Sequence, residues 1–196
     1  ASLGMLEDAR TELAAFKQKN ADKTAIPGLS RLQQLAGDLH GSIMTFNQNR
    51  PATIDRSNLA FWALGYPRPY AELFSRHSVT NGLSEALVLS LAKAESSFRA
   101  DVKSPAGAIG LMQMMPATAR MTAGSKGKKF NPLWLTEPEL SIRLGTKHLR
   151  ELLNQHHQDQ VYSLAAYNAG AGAVNRWRKN FGDLPRDEFV NNIPSQ

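Results

Sequence analysis

The stretch Glu95-Ser-Ser-Phe-Arg-Ala-Asp-Val-Lys-Ser-Pro-Ala-Gly-Ala-Ile-Gly-Leu-Met-Gln-Met-Met-Pro116 decides how this chain folds and where its chemistry sits. Leading into it, Leu83, Leu87, Leu91, Ala94 and Phe98 recur at spacings of three and four, which predicts a helix over 85–98 with one apolar stripe. Ser84 is placed to cap that helix, and Glu85 puts favourable charge in its first turn. Glu95 stands four residues after Leu91 and three before Phe98, at the margin of the stripe, so its carboxyl faces the core side or a cleft. Most helical glutamates are solvated surface groups. The apolar flank and the loop that follows set this one apart. A carboxyl held in apolar surroundings gains proton affinity, because its charged form loses water. Such an acid can protonate a leaving group near neutral pH.

The loop has its own logic. Ser104-Pro105 disfavours helix, while Gly107 and Gly110 permit positive φ and close approach of backbone to a ligand. Gln113 carries an amide that both donates and accepts. Met112, Met114 and Met115 suit an irregular core or a groove wall, and Pro116 suits the first turn of a helix over 117–121.

Working outward, the period stays helical nearly throughout. Helices are expected over 70–77, 138–155 and 161–167, the last broken by Gly170 and Gly172 and resumed over 174–177. Leu140, Leu144, Leu149, Leu152 and Leu153 mark the core side of the second. At most a small strand pair fits around 108–114. The first 65 residues read differently. Met5 to Phe16 forms an amphipathic helix through Leu6, Ala9, Leu13 and Phe16; Pro27-Gly28 breaks the pattern. One helix then runs over 29–46 with Leu32, Leu35, Ala36, Leu39 and Ile43 inward, and another over 57–64. Paired helices of this kind suggest the last turns of a helical superhelix. The expected organisation is a mainly α chain with a helical segment over 1–65 and a second unit over 66–196, joined at Tyr66-Pro-Arg-Pro-Tyr70.

Composition narrows the function classes. The 196 residues contain no cysteine, so disulfides and thiolate metal sites are excluded. No apolar run approaches transmembrane length, and no signal peptide begins the chain. The net charge of +6 would attract a polyanion. The densest basic patch, Lys126-Gly-Lys-Lys129, has no interleaved aromatic platform, which argues against nucleic acid. His148, His156 and His157 lack a metal-ligand pattern and read as surface residues.

Taken together, these motifs resemble the signature of the soluble lytic transglycosylases, peptidoglycan-cleaving enzymes with a goose-lysozyme-like domain. The match runs through Glu95-Ser96, Phe98, Ser104-Pro105, Gly107-Ala108, Gly110 to Gln113 and Met115-Pro116. A second element matches over Ala165 to Trp177, and a third, weaker one through Pro138, Ile142, Gly145 and Leu149. The resemblance covers roughly Tyr66 to Gln196. Two departures stand out: Glu137-Pro-Glu-Leu-Ser141-Ile142 replaces a usual Asp-Pro-x-x-Asn-Ile, and the family usually continues beyond the Ile-Pro seen here as Ile193-Pro194. The resemblance therefore implies a fragment of a longer protein, with 66–196 lacking its C-terminal helices.

It also implies roles. Glu95 would be the catalytic acid; Ser104, Gln113, Met115, Tyr167 and Asn168 would line the substrate groove; Phe98 and Trp177 read as core. Glycosidases usually need two carboxyls. The loop after Glu95 holds only Asp101, which reads as a turn residue, so the 2-acetamido group of the substrate's muramic acid would supply the second function. The implied reaction cleaves the N-acetylmuramic acid–N-acetylglucosamine bond of peptidoglycan without water, leaving 1,6-anhydromuramic acid, with no metal or cofactor. Two alternatives remain: a hydrolytic muramidase on the same scaffold, and an inactive peptidoglycan-binding module. The substrate implies a periplasmic or cell-envelope location.

Overall fold

The computed structural model describes residues 3–19, 22–124 and 130–194, and the helical period becomes eleven α-helices among them. Four precede the Tyr66–Tyr70 junction: α1 (Leu3–Lys19), α2 (Ile26–Leu35), α3 (Leu39–Gln48) and α4 (Leu59–Gly65). Then come α5 (Ala71–Thr80), α6 (Glu85–Ser96), α7 (Pro116–Thr122), α8 (Pro138–Gln155), α9 (Gln160–Ala169), α10 (Ala171–Phe181) and α11 (Arg186–Asn192). The basic patch Lys126–Lys129 lies outside the described residues. Among those described, no helix is long and apolar enough to cross a membrane.

Helix α8 is the wall on which the rest is assembled. Ile142, Leu144, Leu149, Leu152 and Leu153 are all buried along it, and α5, α7 and α9 pack against it. Truncating one such leucine to alanine costs about 2–5 kcal/mol. Helix α6 lies against α5 and buries Val88, Leu91 and Ala92 in the same core as Phe74, Ile142 and Leu149. Between α6 and α8 sits the Met-rich segment. Leu111, Met112 and Met114 are fully enclosed, and Ile109 forms single antiparallel bridges to Lys103 and Met114, the whole of the small strand pair expected there. A second cluster of Leu152, Tyr162, Ala166, Val174 and Phe189 joins α8 to α9, α10 and α11; no signal in the sequence had marked α11.

The N-terminal helices correct two expectations. The single helix over 29–46 is two. Gly37 takes φ 73°, and Asp38 then caps α3 by accepting from the Gly41 amide at 2.7 Å. The break resets the helical phase, so Leu32 and Leu35 are 52% and 69% exposed, while Leu29, Ile43 and Phe46 carry the burial. Pro27 starts α2 rather than breaking a helix, since a first-turn residue has no intrahelical N–H bond to lose. Phe46 sits at the centre of an edge-on cluster with Phe61, Trp62 and Tyr66. Ile43 belongs to the same core cluster as Phe74 and Val88.

Candidate active site

Glu95 is the penultimate residue of α6, and the backbone around it is strained. Ser97 and Phe98 take φ 49° and 63°, and Gln113 across the cleft takes φ 43°. Left-handed conformation in a non-glycine residue costs of order 1–3 kcal/mol and persists only where surroundings over-determine it. Here they do. The Ser96 hydroxyl, fully buried, donates to the Leu111 carbonyl at 2.9 Å and ties the end of α6 to the Met-rich segment. Arg99 Nε donates to the Ser96 carbonyl at 3.1 Å. Phe98 is driven into the core, edge-on to Phe74. Leu83, Leu87, Leu91 and Phe98 of the predicted stripe lie on the main core, but α6 ends at Ser96 and Ala94 is exposed, while Val88 and Ala92 beside the stripe are buried.

The loop is clamped just as firmly. Gly110 has φ 83°, and a Cβ there would lie 1.9 Å from the Leu135 carbonyl oxygen. Ser141, the departure noted above, accepts the Met112 amide on its hydroxyl at 3.2 Å, so the smaller side chain still secures the loop to α8. Gly145 lets α8 approach the Met112 side chain, which a Cβ would meet at 2.6 Å. Gln113 Nε2 donates to the Val102 and Gly110 carbonyls at 3.1 and 2.9 Å. Its amide nitrogen is thus committed to the loop, leaving the oxygen for a ligand. Ser104 accepts the Ala108 amide at 3.0 Å, closing the turn at Pro105.

The result is a cleft of about 340 Å³ lined by Glu95, Ser104, Gln113, Met115, Tyr167 and Asn168 together. The structure thus brings all six residues singled out in the sequence to one place. Ala106, Ala108, Met114, Thr118 and His148 complete its wall. Burial pushes the Glu95 carboxyl up from 4.5 to about 6. Tyr167 donates its hydroxyl to the Met112 carbonyl at 2.8 Å, and burial, reinforced by the Glu95 charge, holds it well above the usual phenol range. Among the described residues no second carboxylate lines the cleft, and Asp101 is exposed outside it. Among the described residues no cluster of His, Asp or Glu could hold a metal ion.

The histidines correct the sequence reading. His148 is not a surface residue: its ring lies 5.4 Å from that of Tyr167, and burial lowers its proton affinity. The signal was available, since His148 follows Leu144 by four and Gly145 by three, on the face of α8 that meets the loop. His156 is also buried, 3% exposed, against Tyr162. Trp177 packs on the second cluster, as read.

One desolvated carboxyl over a Met-lined groove, in a mainly helical domain, is a lysozyme-like arrangement. Residues 72–190, more than half of the chain, match the Transglycosylase SLT domain, and the chain belongs to that family. It is 38% identical over 136 residues to the soluble lytic murein transglycosylase of Salmonella typhimurium, covering 66% of this chain and 20% of that protein. A membrane-bound lytic murein transglycosylase C from Haemophilus influenzae is 37% identical over 139 residues, 66% of this chain and 39% of that one. Among solved structures, the 70 kDa soluble lytic transglycosylase of Escherichia coli superposes with TM-score 0.76 at 30% identity, over 94% of this chain and 29% of that one. An inactive mutant of the lytic transglycosylase Slt from Pseudomonas aeruginosa gives 0.76 at 27% identity, over 91% and 28%. The chain spans about a fifth of the length of the curated soluble relatives it matches.

Proposed function

We propose that this chain carries the catalytic unit of a peptidoglycan lytic transglycosylase, acting in the cell envelope on the bond between N-acetylmuramic acid and N-acetylglucosamine. Residues 66–196 form that unit, and 1–65 are the end of a helical superhelix leading into it. Support for the second part comes from the Escherichia coli and Pseudomonas structures, whose match extends over the N-terminal helices as well.

The observation that carries the reading is a single carboxyl, raised to about 6, in a cleft that no second carboxylate lines among the described residues. At pH 7 about a tenth of Glu95 is protonated and at pH 6 about half. It therefore gives a proton to the bridging oxygen and takes one back within one turnover. Without a protein nucleophile, the muramic acid 2-acetamido oxygen attacks the anomeric carbon as the bond to the bridging oxygen breaks. The Glu95 carboxylate then removes the proton of the 6-hydroxyl, whose oxygen displaces the acetamido oxygen and closes the 1,6-anhydro ring. Atoms balance without water. Ser104, Gln113 Oε1 and Asn168 are the polar groups that orient the sugar, Met115 offers 43% of its surface as an apolar floor, and Tyr167 holds the loop beneath the acid.

The test is release of soluble fragments from purified sacculi by the chain and by Glu95→Gln. Turnover lost in the variant, with binding to sacculi retained, supports the reading; equal turnover in both sinks it.

A further inference from the structure

A second cavity, of about 430 Å³, lies on the other side of α6. Lys93, in its wall, precedes Glu95 by two residues, hence sits about 200° round the helix from it. Ala86, Leu89 and Ser90 share the Lys93 face, and Pro67 and Phe98 close the sides. We propose that this cavity binds the carboxylate end of a short peptide with small apolar side chains.

The charges select the ligand. Arg68 and Glu85 at the rim are paired with each other. Lys93 forms no ion pair among the described residues; its ammonium rests 3.6 Å from the centroid of the Tyr66 ring, half-buried, and burial together with Arg50 lowers its proton affinity. The lining therefore carries one uncompensated positive charge over an apolar floor. A monoanion with an alkyl body satisfies both, its carboxylate at Lys93 and Ser90 and its methyl groups on Leu89, Ala86 and Phe98. A phosphate dianion would leave the apolar floor unused and meet the Glu85 carboxylate at the rim. Tyr66, 50% exposed, holds the Lys93 ammonium over its ring at the edge of the cavity. Phe98 joins this cavity to the strained turn behind Glu95, so an occupant would brace the end of α6.

The cavity's chemistry stands independently of the reaction at Glu95; only the source of the peptide, the stem peptides of peptidoglycan, rests on the proposed function. The experiment is a titration of the isotopically labelled chain with acetyl-alanyl-alanine, followed by amide chemical shifts. Its C-terminal amide and inorganic phosphate serve as comparators. The expected result is saturable shifts at Ala86, Leu89 and Ser90 with a Kd on the order of 0.1–1 mM, retained in Glu95→Gln and weakened roughly tenfold or more in Lys93→Met. Ala86→Trp, a change at an exposed position that fills the cavity, should abolish them without unfolding the chain. Shifts confined to Ala108 and Thr118 in the Glu95 cleft, equal binding of the amide or of phosphate, or no shifts at all would each overturn the proposal. None of these results depends on whether the chain cleaves glycan.

Discussion

The Tyr167 hydroxyl donates to the main-chain carbonyl of Met112 at 2.8 Å, joining α9 to the loop that forms the floor beneath Glu95. The tyrosine is therefore a neutral donor with its proton already placed, and its first duty is to hold that loop. Tyr167→Phe keeps the ring against His148 but strands a buried carbonyl. A loss of about 1–3 kcal/mol is expected, read by urea denaturation, together with lower turnover that follows the loop rather than a lost proton shuttle. Unchanged stability would contradict this account of the residue.

Two glycines in the same loop separate strain from collision. Gly107 and Gly110 both have positive φ, 95° and 83°, but a Cβ on Gly107 meets nothing within 4 Å, whereas on Gly110 it strikes the Leu135 carbonyl. Gly107→Ala should cost only the conformational penalty, about 1–2 kcal/mol. Gly110→Ala should cost more than about 4 kcal/mol or prevent folding, because backbone must move. Comparable denaturation midpoints for the two would be inconsistent with the packing described.

Burial of Glu95 has a stability consequence with a definite sign. Its folded-state pKa, about 6, lies above the 4.5 of an unfolded carboxyl. The native state thus binds more protons between those values, and stability falls as pH rises from 4.5 to 6, then levels. Glu95→Gln removes the penalty. The variant should be more stable than the parent by about 1–2 kcal/mol above pH 6, allowing for solvent screening at an open cleft, and the gain should vanish below pH 4.5. A gain that grows on acidification would refute the burial argument.

The same protonation sets the pH profile. A catalytic acid must carry its proton when the bond breaks, so kcat/KM should fall on the alkaline side with an apparent pKa near 6 in the free enzyme. His148, whose proton affinity burial lowers, contributes no second limb above its ordinary range. His148→Gln should therefore leave the alkaline limb in place. A limb that moved with His148 would reassign the titration.

The signature stretch marks Glu95 and the loop after it by local chemistry, whereas Tyr167 and Asn168 are reached only through the resemblance to the transglycosylase family. Ser-Pro, two glycines and a run of methionines dictate a turn, close approaches and a soft wall in any context, and α8 was readable to the residue from its leucines. What escaped depended on long-range packing. The split of the helix over 29–46 is the exception: Gly37 as a stop and Asp38 as an N-cap are local signals, masked by leucines that keep a plausible period on either side. Ala94 and Val88 exchange burial because the core that α6 meets is set by α5 and α8. For His148 the spacing from Leu144 and Gly145 marks the face, but its burial is completed by Tyr167, which arrives from α9. Helix α11 is short and polar and is held by one enclosed residue, Phe189, too little to stand out in the sequence.

The central claim is that one carboxyl, with the substrate's own acetamido and 6-hydroxyl groups, completes the reaction. Mass spectrometry of the soluble products from purified sacculi tests it most directly. The account predicts fragments one water lighter than hydrolysis products, ending in 1,6-anhydromuramic acid and absent with Glu95→Gln; fully hydrated muramic acid ends would contradict it.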